Sequence, residues 1–420
     1  PWPEEARGGL VRLLAAGRPA IPVLEALDQK GLLVRILPEW EPVRSRPQRN
    51  AYHRFTVDRH LCEAAAEAAG LAPRVRRPDL LVLGTWLHDI GKGTPEAGDH
   101  SKVGADLVEA MARRMGFPPD DVAVLVALVR HHLLLAETAT RRDLDDPETL
   151  ETVARALGDV ETLELMHALT EADGLATGPV AWTPWKAGLV ADLVARVRAL
   201  LEGGTPETTA FPSASQLRLA DGVRTRGQPL VEGSGTLLTV AAPDRPGLFC
   251  QVAGTLTLHG LDVLAARAWS DDGGVAVEDF RVEPLFGGEP DWNRFEHDLK
   301  QALGRPLWLQ ARLAERARAY ARRSGPKAAR PPRTAVRVDN DASRAATVVE
   351  VRAPDRLGTL YSITRALAEL RLDIRHAKVT TLGHEVVDVF YVVDASGGKV
   401  DDRKGAANIE RAVLSELSHL

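Results

Sequence analysis

The stretch Thr85-Trp86-Leu87-His88-Asp89-Ile90-Gly91-Lys92-Gly93 joins a histidine and an aspartate directly to the end of an apolar run. The residues from Leu80 to Leu87 are predicted to form the end of a buried helix, which the two glycines would terminate. A buried carboxylate beside a buried imidazole is costly unless a charged group pairs with both. Neutral imidazole and ionised carboxylate are ligands of borderline-to-hard cations. The stretch therefore predicts a divalent metal site in a helical domain.

Further histidines and one more acid support a metal site. Leu165, Leu169 and Asp173 lie on one predicted helical face, so Asp173 continues an apolar stripe and needs a partner in the core. The other candidates precede a helix, lie in a turn or end an apolar helix: His60, His100, His131 and His132. This set of H…HD…H…HH…D resembles the HD superfamily of metal-dependent phosphohydrolases.

The resemblance implies a role for each candidate. It assigns the first metal ion to His60, His88, Asp89 and Asp173. An extra set would bind a second ion or supply acid–base groups, and the sequence leaves both open: His100, His131 and His132. Lys92, on a glycine-flanked turn, is a candidate for substrate phosphate binding or for proton relay. Weaker phosphate-binding candidates are Arg54, Arg130 and Arg142. Mn²⁺ or Mg²⁺ suits the superfamily, and a histidine-rich set also suits Fe or Zn.

The composition of the chain bounds its class. With 420 residues, roughly two to four domains are expected. The formal net charge of −5 argues against a general nucleic-acid binder. Only two cysteines occur, Cys62 and Cys250, so no disulfide framework is predicted and the cytoplasm is the expected location. No apolar run approaches the ~20 residues that span a membrane, so no membrane contact is expected. The chain opens on Pro1 rather than Met, which suggests a fragment.

The sequence pattern divides the chain into helical and α+β parts. Residues 1–49 are predicted to be a helical collar or the remnant of an upstream region, and residues 50–202 an all-α HD domain. A Gly-, Pro- and Thr-rich linker covers residues 203–233. Residues 234–322 are predicted to form a first α+β domain with a trailing helix. A basic Pro/Arg linker at residues 323–343 then leads to a second α+β domain at residues 344–420.

The two α+β domains are predicted from an internal repeat. The stretch Ala241-Ala242-Pro243-Asp244-Arg245-Pro246-Gly247-Leu248 recurs as Arg352-Ala353-Pro354-Asp355-Arg356-Leu357-Gly358-Thr359, 111 positions later. Each copy precedes a predicted helix and then Leu-Asp-Val or Leu-Asp-Ile. Both copies resemble ACT domains, which are small βαββαβ ligand-sensing modules, although the second copy shows no final strand.

The ACT resemblance implies an amino-acid effector site in each domain. Gly247 and Gly358 lie in the turn that enters the helix, where a missing side chain lets backbone N–H groups approach a ligand carboxylate. Asp244 and Asp355 could accept a hydrogen bond from an α-amino group. The alternative interpretation is a capping aspartate and an ordinary turn glycine.

An HD domain followed by two ACT domains resembles the C-terminal half of the bifunctional uridylyltransferase/uridylyl-removing enzymes. Specific stretches include Val129-Arg130-His131-His132-Leu133 and Thr177-Gly178-Pro179…Trp182…Trp185-Lys186. The resemblance implies hydrolysis of the phosphodiester between UMP and a tyrosine of the PII nitrogen-signalling protein, stimulated by glutamine. Arginine far outnumbers lysine, as in GC-rich genomes, and in some such bacteria the nucleotide is AMP. The family's nucleotidyltransferase domain is not found in this sequence, so transferase activity is not expected.

Two alternatives stay open on the sequence. Another HD-type hydrolase, acting on guanosine tetraphosphate or another free nucleotide under amino-acid regulation, would need no protein substrate. A catalytically silent regulatory protein would bind glutamine without metal-dependent hydrolysis. The full set of ligand candidates argues against the silent protein.

Overall fold

The structure, a computed structural model, describes residues 1–48, 54–94, 96, 98–179, 181–207, 211–271, 273–285, 287–323, 333–382 and 385–419. These residues form two compact units. The first comprises Pro1–Thr140 and Thr149–Glu207, and the second comprises Arg141–Glu148 and Thr208–Leu420. The first is helical and the second is built on an antiparallel sheet, which confirms the predicted fold class.

The first half of the chain is built from helices. In chain order they are α1 (Glu4–Ala15), α2 (Ala20–Gln29), α3 (Leu32–Ile36), α4 (Val57–Leu71), α5 (Pro78–Leu87), α6 (His100–Arg114), α7 (Pro119–Arg130), α8 (Leu134–Arg141), α9 (Pro147–Leu157), α10 (Val160–Thr177) and α11 (Pro184–Leu201). Short 3-10 helices cover Pro38–Val43, Ala72–Arg74 and Ile90–Gly93. Among the described residues, no single helix is both long enough and apolar enough to cross a membrane. The bent pair α7 and α8, taken together, reaches that length and apolarity.

The core of the first unit is organised around α5. Every residue from Leu80 to Leu87 is buried, and the helix ends at Leu87 as the sequence predicts. The N-terminal residues pack against this helix, because Trp40 stacks on Trp86 with ring centroids 4.8 Å apart. Residues 1–48 therefore contribute to the same core that holds the histidine–aspartate pair.

Side-chain caps fix where the later helices begin. The Asp99 carboxylate accepts a hydrogen bond from the Ser101 backbone at 3.0 Å, which satisfies an otherwise unpaired N–H at the start of α6. Asp159 caps α10 in the same way. The cap at Asp99 places His100 as the first residue of α6.

The second unit alternates strands and helices. In chain order they are α12 (Ala214–Arg226), β1 (Leu230–Ser234), β2 (Leu237–Pro243), α13 (Leu248–Leu258), β3 (Leu261–Ser270), β4 (Val275–Pro284), α14 (Trp292–Gly304), α15 (Pro306–Arg323), β5 (Ala335–Asp339), β6 (Thr347–Pro354), α16 (Thr359–Glu369), β7 (Asp373–Leu382), β8 (Glu385–Val393) and α17 (Arg403–Ser418). The strands form one antiparallel eight-stranded sheet in the order β1-β2-β4-β3-β7-β8-β6-β5. The repeats meet where Arg267 of β3 pairs with His376 of β7.

The strand order within each repeat differs from the predicted βαββαβ. Both repeats are ββαββα, because the edge strand precedes the rest of the repeat. In the first repeat β1 reaches β2 through a tight turn at Gly235, which has a left-handed φ of 53°. The second repeat therefore needs no strand at its end, because its edge strand, β5, comes at its start and pairs with β6.

Both predicted linkers contain regular structure. The linker at 203–233 includes α12 and most of β1. α12 folds there because Ala220 and Val223 are buried against Val277 of the sheet. The linker at 323–343 includes β5, and its residues 324–332 lie outside the described residues. Each ACT repeat therefore begins earlier in the chain than the sequence pattern indicates.

Helices α13, α14, α16 and α17 cover one face of the sheet, and α12 packs on the other face. Within the second unit, the segment Arg141–Glu148 also lies on polar side chains of that other face. The backbone N–H of Asp143 donates to Tyr391 Oη at 2.8 Å. Arg267 Nη1 lies 3.3 Å from Asp145 Oδ2. The basic side chain offsets part of the negative charge of this acidic segment.

Candidate metal centre

The first unit brings most of the predicted donors together. His60 lies in the first turn of α4 and Asp173 near the end of α10, and these two helices pack against each other. The remaining donors lie where helices end or begin: His88 and Asp89 after α5, His100 at the start of α6, and His132 after α7. The donors therefore come from five separate helical elements, whose packing holds them in place.

The donors form two groups, in each of which the ligand atoms lie within 4.8 Å of one another. The first contains His60, His88 and Asp173. Asp173 Oδ1 is 2.9 Å from His60 Nε2 and 3.5 Å from His88 Nε2. The second contains Asp89, His100 and His132. Each group thus offers two imidazole nitrogens and one carboxylate oxygen.

Asp89 links the two groups. Its Oδ1 lies 3.5 Å from His100 Nε2 and 3.4 Å from His132 Nε2. Its Oδ2 lies 3.4 Å from His88 Nε2 and 3.9 Å from His60 Nε2. One carboxylate thus presents one oxygen to each set of histidines, and the side chain is almost fully buried.

Backbone carbonyls orient two of the imidazoles. His88 Nδ1 donates to the Thr85 carbonyl at 2.7 Å, and His132 Nδ1 donates to the Val129 carbonyl at 2.8 Å. These bonds place the proton on Nδ1 and direct the unprotonated Nε2 of a neutral ring into the cluster. Both histidines therefore carry the outer hydrogen bond that is typical of metal-ligating imidazoles.

Lys92 lies at the edge of the cluster. Its Nζ donates to Asp89 Oδ2 at 2.5 Å and to Gln48 Oε1 at 3.0 Å. The lysine side chain is 26% exposed, whereas that of Asp89 is 3% exposed. The ammonium group thus lies between the buried carboxylate and solvent.

The charges of the cluster favour bound positive charge. Burial alone would lower the pKa of His88, but Asp89 and Asp173 outweigh it and raise that pKa to about 10. Burial alone would raise the pKa of both aspartates, but nearby positive charge outweighs burial and holds both pKa values well below their usual range. His88 acts on both aspartates, Lys92 adds to its effect on Asp89, and His60 adds to its effect on Asp173. Both carboxylates therefore stay ionised, and a divalent cation can replace the proton on His88.

The donor atoms fit a divalent cation. His88 Nε2, Asp89 Oδ1 and His100 Nε2 are buried and have no hydrogen-bond partner among the described residues. Leaving such atoms unpaired costs about 1–3 kcal/mol each, which coordination to a metal would remove. Imidazole and carboxylate ligands in these proportions suit Mn, Fe or Zn better than Ca.

A close backbone contact places His100 in the cluster. A Cβ atom at Gly91 would lie 2.0 Å from the His100 carbonyl oxygen and 2.6 Å from the Gly104 nitrogen. Only glycine lets the turn after Asp89 approach the first turn of α6 this closely. Gly91, predicted from the sequence as a helix terminator, therefore also determines how near His100 comes to Asp89.

Other predicted residues lie outside both groups. His131 is half-buried, and its pKa is lowered by burial and by the neighbouring Arg130. His131 and His132 are consecutive residues after α7, so their side chains point in different directions and only His132 enters a group. Arg130 lies 3.5 Å from Asp106 on α6. Arg142 belongs to the second unit, with the segment Arg141–Glu148.

The predicted effector residues lie at equivalent positions in the two ACT repeats. Gly247 and Gly358 are the N-caps of α13 and α16, with left-handed φ angles of 84° and 91° that favour glycine. Asp244 and Asp355 precede them by three residues each, at the ends of β2 and β6. The two candidate effector sites therefore share one backbone design.

Two buried acids were missed in the sequence. Glu278 of β4 and Asp388 of β8 are 3% and 1% exposed. Burial raises the pKa of Asp388 to about 8, and the charge of Asp355 contributes less. Burial also raises the pKa of Glu278 far above its usual range, with smaller contributions from the charges of Asp373 and Asp244. The sequence offered one indication of these buried acids, namely an acidic residue within an apolar strand at a position whose side chain faces the core. Since Asp373 belongs to the second repeat, the first candidate effector site borders both repeats.

Family models identify the class of this protein. The HD domain model matches residues 57–177, and the model of the ACR family N-terminal ACT domain matches residues 342–419. Together with the helical fold and the donor cluster, these matches define a protein that joins an HD domain to ACT domains. HD domains are metal-dependent, in keeping with a cluster that can hold a cation.

Similar proteins then narrow the class to one family. A bifunctional uridylyltransferase/uridylyl-removing enzyme of Streptomyces coelicolor (strain ATCC BAA-471 / A3(2) / M145) is 46% identical over 465 aligned positions, which cover 99% of this chain and 55% of the relative. One of Mycobacterium tuberculosis (strain CDC 1551 / Oshkosh) is 44% identical over 93% of this chain and 50% of its own length. One of Azospirillum brasilense is 30% identical over 99% and 51%. The chain spans about half the length of the curated relatives it matches, and the predicted resemblance to this enzyme family is confirmed.

Proposed function

We propose that this chain removes a nucleoside monophosphate, UMP or AMP, from a tyrosine of a PII signal protein by metal-dependent hydrolysis. The observation that carries the proposal is the Asp89 carboxylate, which directs one oxygen to each of two histidine groups. A shared carboxylate suits two ions that clamp one phosphoryl group. The names of the relatives support the substrate class, because each is called a uridylyl-removing enzyme.

Hydrolysis forms a bond from water oxygen to phosphorus and breaks the bond from phosphorus to the tyrosine oxygen, which takes up a proton. Bound metal would polarise the phosphoryl group and lower the pKa of water. The ligands would be His60, His88 and Asp173 for one ion, and Asp89, His100 and His132 for the second. The protein itself orients the imidazoles through backbone carbonyls and keeps both carboxylates ionised.

Lys92 and His131 are the proposed groups for substrate charge and proton transfer. Lys92 carries its positive charge at the edge of the cluster, 2.5 Å from Asp89, where it can neutralise a phosphoryl oxygen. His131 is half-buried and adjacent in sequence to His132, and the lowered pKa favours its neutral form. A neutral imidazole suits a base better than an acid at neutral pH.

The proposed metal is Mn²⁺ or Mg²⁺, in one or two ions, with Fe or Zn as the alternatives that four imidazoles also suit. The proposed effector is glutamine. Its ammonium group would lie at Asp244 or Asp355, and its carboxylate at the N-terminus of α13 or α16, where Gly247 or Gly358 leaves the backbone open. The predicted cytoplasmic location stays a prediction.

The experiment measures nucleotide released from UMP-modified and AMP-modified PII protein with Mn²⁺, with and without glutamine. Wild type is compared with Asp89→Asn, which keeps the side-chain shape but removes the shared charge. Asp106→Asn is the matched control, because Asp106 is an exposed acid on α6 whose side chain is 78% exposed.

The expected result is release of one nucleotide by the wild type and by Asp106→Asn, increased by glutamine and abolished in Asp89→Asn. No release from either modified protein, with hydrolysis of a free nucleotide such as guanosine tetraphosphate instead, would refute the PII proposal and leave a small-nucleotide hydrolase. Release that is equal in Asp89→Asn and wild type would refute the assigned site.

A further inference from the structure

The loop between α10 and α11 places an aromatic side chain on Gly174, the residue that follows the proposed metal ligand Asp173. The backbone N–H of Trp182 donates to the Gly178 carbonyl at 3.2 Å, which folds the chain back over the end of α10. The half-buried indole lies on Gly174, where a Cβ atom would be only 2.7 Å from Trp182 Cε3. Gly174 directly follows Asp173, about 3.8 Å away from Cα to Cα. The ring therefore packs on the backbone next to a proposed metal ligand.

A cationic side chain, that of Arg54, lies against the same loop. Arg54 Cδ is 3.4 Å from the position that a Cβ atom would take at Gly178. Arg54 is exposed, and its guanidinium group makes no ion pair or hydrogen bond with the part of the chain that the structure describes. Arg54 precedes His60 by six positions and Gly178 follows Asp173 by five, while His60 and Asp173 are 2.9 Å apart. Arg54 and the Trp182 loop thus lie at the same end of the α4–α10 pair.

We propose that Trp182 binds the nucleobase of the substrate by stacking, while Arg54 neutralises charge on the phosphodiester. The inference rests on the proposed function and extends it to the nucleoside part of the substrate. Every base offers a π-face, so an indole platform serves UMP and AMP alike. Because the ring is already held on the Gly174 backbone, stacking a base on it loses little side-chain freedom.

The test compares two substrates that differ only in the nucleoside. Uridine 5′-(4-nitrophenyl phosphate) and methyl 4-nitrophenyl phosphate release the same chromophore, and only the first contains a base. The measured quantity is the ratio of kcat/KM for the uridine ester to kcat/KM for the methyl ester, with Mn²⁺. Trp182→Leu removes the ring, and Trp182→Phe keeps a smaller aromatic face.

The expected result is a ratio that falls roughly 5- to 150-fold in Trp182→Leu, the range found for loss of base–aromatic stacking. Trp182→Phe should recover part of the ratio. Trp2→Leu is the control and should keep the wild-type ratio. Trp2 bonds to Arg114 at the end of α6, which lies 14 residues and about 21 Å along the helix from His100.

A Trp182→Leu ratio equal to that of the wild type would overturn the inference, even if both rates fall, because a packing residue lowers both rates together. Failure of the proposed function is a separate outcome, in which wild type cleaves neither ester nor the modified PII protein. Calorimetric titration with UMP and Mn²⁺ then still decides the role of Trp182. Equal UMP affinity in wild type and Trp182→Leu would overturn the stacking role.

Discussion

Asp89→Asn should remove most of the stabilisation that metal gives to the helical unit. The carboxylate contacts both donor groups at 3.4–3.5 Å through Oδ1 and at 3.4–3.9 Å through Oδ2. An amide of the same shape has one neutral oxygen and one N–H₂ group, so it cannot present an anionic oxygen to both groups. Loss of this one charge should therefore weaken both proposed sites at once.

The size of the effect follows from linkage. Losing an outer partner of a metal ligand already weakens metal binding 10- to 100-fold, so losing the shared ligand should weaken it at least about 100-fold. At free Mn²⁺ of about 100 times the wild-type Kd, binding stabilises wild type by about 2.7 kcal/mol and the variant by at most about 0.4 kcal/mol. For a unit of this size, these values correspond to Tm shifts of roughly 5–11 °C and 1–2 °C.

The assay is thermal unfolding of each protein with and without Mn²⁺. Each variant is compared with its own metal-free form, so any change in basal stability from removing the carboxylate partner of Lys92 cancels. Asp106→Asn, the exposed control on α6, should shift as the wild type does. A full wild-type shift in Asp89→Asn would refute the assignment of Asp89 as the shared ligand.

Three further predictions concern protons and backbone contacts. The aspartates outweigh burial and raise the pKa of His88 to about 10, so binding of Mn²⁺ at pH 8 should release a proton, and Mn²⁺ affinity should rise with pH. Calorimetry in buffers of different ionisation enthalpy measures the number of protons released. Binding without proton release would contradict the prediction. Gly91→Ala should destabilise the protein by about 1–3 kcal/mol or more, because the new Cβ atom would clash with the His100 backbone. Gly70→Ala, at a position in α4 with open space around it, should stabilise the protein by about 0.5–1 kcal/mol. Denaturant unfolding measures both changes, and equal effects of the two substitutions would refute the close contact at Gly91. Burial raises the pKa of Asp388 to about 8, so the folded ACT unit keeps a proton that the unfolded chain loses above about pH 4. The free energy of unfolding should therefore fall by up to about 5 kcal/mol between pH 4 and pH 8. Asp388→Asn should abolish that part of the pH dependence, and an unchanged pH profile in the variant would contradict the prediction.

The histidine and aspartate pattern predicted much of the candidate site. His88 and Asp89 end a buried helix, and Asp173 continues an apolar stripe, so each needs a charged partner that the sequence itself makes visible. The pattern could not decide between His131 and His132, because the turn after α7 determines which of two consecutive side chains faces the cluster. It also could not predict the close approach at Gly91, which depends on how α6 packs against the turn.

The ACT repeats were visible because a motif of eight residues recurs, but their edge strands were not. β1 and β5 are five residues each and partly exposed, so hydrophobic alternation is too short to identify them. The buried Glu278 and Asp388 were missed for a different reason. Each lies within a run of strand-forming residues, and only the register of the sheet shows that the acid faces the helices.

Trp182 illustrates a third limit of the sequence. The stretch Thr177-Gly178-Pro179…Trp182…Trp185-Lys186 marks the family resemblance, but nothing in its spacing places an indole beside Asp173. That position results from the turn at Gly178 and from the absence of a side chain at Gly174. The tertiary fold therefore adds a candidate for substrate recognition to a candidate metal site whose donor residues the sequence predicts.

The most direct test of the central claim is hydrolysis of nucleotide-modified PII protein in ¹⁸O-labelled water by the Mn²⁺-loaded chain, followed by mass spectrometry of both products. The account predicts that UMP or AMP is released carrying one ¹⁸O atom, and that the tyrosine oxygen carries none, because water attacks phosphorus. No release from either modified protein, or a released nucleotide without ¹⁸O, would contradict it.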